Sequence, residues 1–325
     1  MKDALKYGLI ETIGVTLFAS EGLFVKDIEL HPFVNVLLAY TVYAVISFIV
    51  LTFQGKMNWD FAKQISEPKF LILNMFNIIR TGGLFVGFKL LPVSFAIVIK
   101  MMSPAFILVA DSLLNNKPMN VLEKVGIAAS ILFMGLVYKK PIGAAMSNLS
   151  MKFLVGVLGV LLYNTLNAYN VIKLPEYVTD KNPHEEVFLS TGISFVTLAT
   201  IFLGVVASGS KLFGKLEHFN MLKMIGVFIM TCYVGMSLTY AADNHLPANV
   251  FSILQYSQLA LAFVIGYFFE GEKFPPSRIL FVVCLIASIF LIQFGSDRTK
   301  PVKKDKRKIT LNTMLRYEDK DKKKA

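Results

Sequence analysis

The stretch LLPVSFAIVIKMMSPAFILVADSLLNNKPM, residues 90–119, has a second version later in the chain, HLPANVFSILQYSQLALAFVIGYFFEGEKF, residues 245–274. Pro92 falls on Pro247 and Lys100 on Gln255, and both stretches lead through a Lys-containing turn into a further matched pair, IAASILF (127–133) and LIASIFL (285–291). Each copy contains an apolar run of the roughly 20 residues needed to cross about 30 Å of hydrocarbon. A sequence that repeats membrane-length helices in this way predicts two related halves.

Similar runs extend outward from the pair, near 4–25, 33–53, 69–90, 92–114, 121–138, 151–172, 187–208, 220–241, 247–269 and 276–294. The expected fold is an all-α integral membrane protein of about ten transmembrane helices. Composition agrees: 325 residues, 55% hydrophobic, only 17% charged, with a mean hydropathy of +0.59. Soluble domains carry about 25% charged residues. The first run holds Glu11 and Glu21, lacks the small-residue cleavage site of a signal peptide, and reads as a retained helix.

With about five helices each, two like units separated by an odd number of crossings take opposite orientations, the inverted repeat of many secondary transporters. The expected boundaries are 1–138 for the first repeat, 139–150 for a linker, 151–294 for the second repeat and 295–325 for a basic, disordered tail. The breaks between runs are short, so function is expected within the bundle.

The net charge of +11 suggests nucleic acid until it is divided along the chain. Residues 296–325 hold 12 Lys/Arg against 5 Asp/Glu. Basic residues after a last hydrophobic segment belong on the cytoplasmic side, so a cytoplasmic carboxyl terminus and no nucleic-acid partner are expected. Lys322 and Lys323 stand where a dilysine retrieval signal has its lysines. The expected location is the plasma membrane by default, with endoplasmic reticulum or Golgi membrane as alternatives. Asn148-Leu149-Ser150 is formally a glycosylation acceptor, read as chance beside the sixth helix.

LPVSFAIVIKMMSPAF, ILQYSQLALAFVIGYFFEGEKFPP and LIASIFLI together resemble the EamA-like family of the drug/metabolite transporter superfamily, and LFASEGLFVK (17–26) is similar to that family's first helix. The resemblance covers roughly residues 8–294. It implies a carrier whose helices one, three, four, six, eight and nine line a central cavity. Lys100, four residues before Pro104, is also similar to the lysine that faces an anionic substrate in sugar-phosphate and nucleotide-sugar carriers. Its counterpart here is Gln255, followed by Tyr256, so the paired-cation clamp of those branches is incomplete.

Ionisable groups at membrane depth usually face a cavity, a partner or water. Lys100 is the leading substrate-binding candidate, through an anionic group or a carboxylate pair. Asp111 reads as a local cap near Asn115. Glu11 and Glu21 are candidates for ion coupling or an ion pair, with Arg80 as one partner for Glu11. Asn77 and Arg80 on the third run, and Tyr163, Asn164, Asn167 and Asn170 on the sixth, form polar stripes. They are either interhelical hydrogen-bond glue or a cavity wall. Tyr240, Tyr256 and Tyr233 offer rings for a planar or apolar part of a solute. Pro92, Pro104 and Pro247 supply bends, and the second, seventh and tenth runs are almost wholly apolar.

No cofactor and no metal are expected. His31, His184, His218 and His245 fall in expected loops, Cys232 and Cys284 lie unpaired in apolar runs, and no HExxH, CxxC or serine-nucleophile pattern occurs. An enzyme is therefore not expected, and a channel is a minor alternative. The expected function is secondary transport of an amino-acid-like or other small amphipathic solute by alternating access. The alternative is a nucleotide-sugar or sugar-phosphate antiporter anchored by Lys100. The expected partners are that small-molecule substrate and the lipid bilayer, and a homodimer is compatible with such a bundle.

Overall fold

The computed structural model describes residues 2–27, 32–56, 68–116, 118–139, 142–143, 150–173, 218–243, 248–269, 271 and 276–299. Among them the regular structure is helical throughout: α1 (Lys2–Asp27), α2 (Pro32–Phe53), α3 (Pro68–Leu90), α4 (Val93–Lys100), α5 (Ser103–Asn115), α6 (Val121–Val137), α7 (Met151–Lys173) and α8 (His218–Val227). A π-helical segment (Phe228–Val234), α9 (Gly235–Asp243), α10 (Ala248–Phe269) and α11 (Pro276–Thr299) follow. Nine of the ten expected runs coincide with these helices, and the run at 187–208 lies outside the described residues. Asn148 and Leu149 of the acceptor sequence and most of the basic tail also lie outside them.

Five stretches among the described residues are long and apolar enough to cross a membrane: Leu5–Lys26, Val34–Phe53, Val93–Asn115, Met151–Lys173 and Leu222–Thr239. The protein is a multi-pass membrane protein. The faces of α7 explain how a span is used. Gly156, Val160, Asn164 and Ala168 are buried at a spacing of four, while Leu154, Leu158 and Leu162 are exposed at the same spacing on the other side. Residues four apart share a helix face, so the first set meets neighbouring helices and the second meets lipid.

Helix packing follows the small residues. α3 lies along α7, where a Cβ on Gly83 would come 2.5 Å from the Gly159 carbonyl oxygen. α1 crosses α9 where a Cβ on Gly14 would come 3.0 Å from the Gly235 oxygen. α6 pairs with α11, with Gly126 against the Ser288 carbonyl. In a bilayer, close backbone approach supplies the attraction that water expulsion supplies elsewhere. α1 also packs on α10, and α7 on α4 and α5.

Three local features depart from expectation. The run expected at 92–114 is two helices, α4 and α5, parted by Met101 and Met102. Pro104 explains this, because its ring excludes the Lys100 carbonyl and it has no N–H to bond it. His218 opens α8 rather than lying in a loop, and α11 continues to Thr299, past the expected boundary at 294. Asn120 starts α6 with a capping box: its side chain accepts from the Glu123 N–H at 2.8 Å, while Glu123 Oε2 accepts from the Asn120 N–H at 2.7 Å.

Candidate functional site

The break between α4 and α5 organises the site. All eight residues of α4 are buried, ending in Lys100, which is 8% exposed. Met102 N–H turns back to the Ile99 carbonyl at 3.1 Å, leaving helical bonding interrupted at membrane depth. Such irregular backbone is tolerated within the hydrocarbon only where protein or a cavity surrounds it.

The asparagine stripe of α7 closes over this break. Asn164 Nδ2 donates to the Ile99 carbonyl at 2.6 Å, and Asn167 Nδ2 donates to Ser103 Oγ at 2.8 Å. Asn170 Nδ2 reaches Asn77 Oδ1 on α3 at 2.5 Å. The Tyr40 hydroxyl on α2 donates to the Asn77 carbonyl at 2.7 Å and lies 2.9 Å from Thr81 Oγ1. Each asparagine of the stripe therefore joins α7 to a different place on its neighbours. The stripe acts as interhelical glue here.

The same groups keep unused capacity. Asn164 Oδ1, Asn170 Oδ1 and Arg80 Nε are enclosed with no hydrogen-bond partner among the described residues. Arg80 Nη1 donates to Asn167 Oδ1 at 2.6 Å, and its guanidinium carbon sits 5.6 Å from the centre of the Tyr163 ring. Its contacts are thus an amide and an aromatic face, and the ion pair with Glu11 weighed from the sequence is not among them. The Lys100 ammonium lies 5.4 Å from the centre of the Phe18 ring of α1. Among the described residues both cations face rings rather than carboxylates.

Glu11 and Glu21 on α1 are 0% and 5% exposed. Asp111 accepts from Asn115 Nδ2 at 2.5 Å, the local role expected of it. Tyr169 packs edge-on against Phe76. Gln255, Tyr256 and Tyr240 belong to α10 and α9 by backbone, and their side chains lie outside the described residues. Among the described residues no group of three or more His, Cys, Asp or Glu side chains is placed to hold a metal.

Four features escaped the sequence. Asn35 and Ser47 are fully buried in α2, a helix expected to be almost wholly apolar. Ser130 and Ser288, matched residues of IAASILF and LIASIFL, have their hydroxyl oxygens 3.2 Å apart across α6 and α11. Thr239 and Gln258 are buried against α1 and within α10. The π-helical segment has no proline in it to announce it.

Comparison with known proteins adds one functional finding. Residues 187–317, less than half of the chain, match a family model described as purine nucleobase transmembrane transport. This is a membrane transporter family, though not the EamA-like one that the motifs resemble. No curated protein matches the chain. A solved structure described as "Crystal structure of protein" superposes with a TM-score of 0.59 at 11% identity, covering 91% of this chain and 99% of its own. At that identity the likeness concerns the fold.

Proposed function

We propose that this protein is a secondary carrier that moves a small, planar, nitrogen-rich solute of the nucleobase type across a membrane by alternating access. The observation that carries it is the match of residues 187–317 to a purine nucleobase transport family. The solute contacts proposed are Lys100, Arg80, Tyr163 and the free oxygen of Asn164, with Asn167, Asn77, Gln255, Tyr256 and Tyr240 around them. Cationic donors suit the carbonyl oxygens and ring nitrogens of a heterocycle, and the rings of Phe18 and Tyr163 suit its flat face.

Two inverted five-helix halves are part of the proposal, and the helix pairings support them. If α1 corresponds to α7, and α3 to the α8–π–α9 unit, then α3 on α7 matches α9 on α1. By the same rule α4 and α5 on α7 match α10 on α1. The pairs α6·α11 and α4·α10 map onto themselves. Gly83 against Gly159 and Gly14 against Gly235 are equivalent crossings under this rule, and Ser130 meets its own counterpart Ser288. Residues 1–138 and 151–294 remain the proposed halves, with α11 reaching Thr299.

A second reading, an exchanger of sugar phosphates or nucleotide conjugates, is favoured by one observation, the buried Lys100 ammonium placed on a ring rather than a carboxylate. The test is counterflow in proteoliposomes holding the purified full chain, offered purine bases, amino acids, sugar phosphates and nucleotide sugars. Saturable exchange of a purine base supports the proposal. Exchange of phosphate conjugates alone moves the assignment to the second reading, and no exchange with any compound removes the carrier assignment.

A further inference from the structure

A second buried polar group lies away from Lys100 and Arg80. Glu11 sits on α1 midway between Gly8 and Gly14, three residues from each and on the same side of the helix. A Cβ on Gly8 would lie 3.9 Å from Leu254 Cδ1 of α10, and one on Gly14 would lie 2.9 Å from Thr239 Oγ1 of α9. Glu11 is therefore bracketed by α10 and α9.

The helix directions fix what is level with it. Gly14 meets Thr239, Leu238 and Gly235, whereas Gly235 meets Gly14, Leu17 and Phe18, so α1 and α9 run in opposite directions. Gly8 stands near the start of α1, and past Leu254 the residues Gln258, Leu259, Ala262 and Ile265 are all at most 9% exposed, so α10 continues alongside α1 rather than out past its start, and the two run parallel. One turn beyond Leu254 stands Gln258, at the level of Glu11.

Thr239 and Gln258 are 8% and 3% exposed. Thr239 Oγ1 and Gln258 Nε2 are enclosed and have no hydrogen-bond partner among the described residues. A donor amide and a hydroxyl buried unmet in a membrane helix bundle are costly. The counterpart of Gln258 in the first half, Ser103, is by contrast bonded to Asn167. Phe18, the ring under Lys100, follows Glu11 by seven residues, hence on the same face of α1 and about 10 Å further along it.

We propose that Glu11, Thr239 and Gln258 form the pole that reads the N–H edge of the solute, selecting bases with two adjacent N–H donors, as in a 2-amino-6-oxopurine. A carboxylate accepts two parallel N–H bonds, the geometry it offers to guanidinium groups. The amide and hydroxyl meet the ring atoms beside that edge. This rests on the nucleobase reading above and adds which edge of the base is recognised, and by which side chains. Thr239 and Gln258 both lie within the segment matching the nucleobase transport family.

The experiment is counterflow of labelled hypoxanthine in proteoliposomes, with guanine and adenine as competitors, for wild type, Glu11→Gln, Gln258→Leu and the nearly isosteric Thr239→Val. Guanine carries the adjacent N–H pair and adenine does not. Wild type is expected to favour guanine over adenine by about tenfold or more, and Glu11→Gln to erase most of that ratio while lowering exchange of hypoxanthine, which has one N–H at that edge, by a smaller factor. Gln258→Leu and Thr239→Val are expected to narrow it by smaller factors. An unchanged ratio in monodisperse variants, or an equal loss for every base, overturns the inference while leaving the carrier assignment intact. Wild type without exchange of any base overturns the nucleobase reading first and this inference with it.

Discussion

Ser130 Oγ on α6 and Ser288 Oγ on α11 lie 3.2 Å apart, and each is the other's counterpart in the repeated sequence. Ser130 also donates to the Gly126 carbonyl at 2.7 Å, and Ser288 to that of Leu285. The hydroxyls are thus satisfied within their own helices, and the contact between them adds little. What brings the helices together is Gly126, whose missing Cβ leaves room for the Ser288 carbonyl and Ile292.

Gly126→Val is therefore expected to damage this pair far more than Ser130→Ala. The added Cβ would stand 2.9 Å from the Ser288 oxygen and from the Ile292 nitrogen, both backbone atoms that cannot swing aside. Overpacking of this kind costs about 1–3 kcal/mol. Ser130→Ala gives up only a contact between two hydroxyls whose protons serve their own helices, worth less than the about 0.6 kcal/mol mean for bonds between membrane helices. Thermal unfolding of the two variants in one detergent gives the ranking, and equal midpoints would sink it.

The glycine crossing of α3 and α7 makes a second, sharper comparison. A Cβ on Gly83 would lie 2.5 Å from the Gly159 oxygen, and one on Gly159 2.6 Å from the Gly83 oxygen. Gly83→Ala or Gly159→Ala must push the helices apart and is expected to lower stability by about 1–3 kcal/mol. Gly135→Ala meets nothing within 4 Å and is expected to leave stability unchanged or raised, since Ala favours helix over Gly. A Gly135 variant as unstable as the Gly83 variant would contradict this.

These glycines show what a single sequence yields and where it stops. Hydrophobic length placed the described helices to within a few residues, because about 20 apolar residues are required whatever they touch. The break after Lys100 was only half legible. Pro104 announced a bend, but the bonds that hold the break in place, Asn164 to the Ile99 carbonyl and Asn167 to the Ser103 hydroxyl, come from α7. Those asparagines were visible as a stripe, yet whether they glue helices or line a cavity depends on contacts 64 and 65 residues away. Arg80 is similar: its charge was plain, but its partners Asn167 and Tyr163 were set by the packing of α3 on α7. Asn35 and Ser47 were lost inside an apolar run because hydropathy averages over them.

Asn164 offers a measure of how much the glue holds. Its amide donates to the Ile99 carbonyl from a fully buried position, and Asn164→Leu removes the donor while filling similar space. The expected loss is about 0.6–2 kcal/mol, read as a lower unfolding midpoint. The freed Ile99 carbonyl keeps its bond from Met102 N–H, which limits the damage. A stability equal to wild type would mean that Asn164 serves the solute rather than the fold.

Pro104→Ala separates helix continuity from solute chemistry at the same place. With the ring gone and an N–H restored, residue 104 can bond the Lys100 carbonyl, and α4 and α5 can join through Met101 and Met102. The better helix propensity of Ala offsets the loss of the bonds that Asn164 and Asn167 make to the break, so the variant is expected to stay folded. Joining the helices turns Lys100 away from the Phe18 ring and removes Ile99 and Ser103 from the reach of Asn164 and Asn167. Exchange in proteoliposomes is therefore expected to fall by about tenfold or more while the protein stays folded. Lys100→Ala, in contrast, is expected to lose exchange with the break intact. Unfolding midpoints and exchange rates measured on the same preparations tell these apart, and a Pro104→Ala carrier that exchanges at the wild-type rate would show that the break does not position the site.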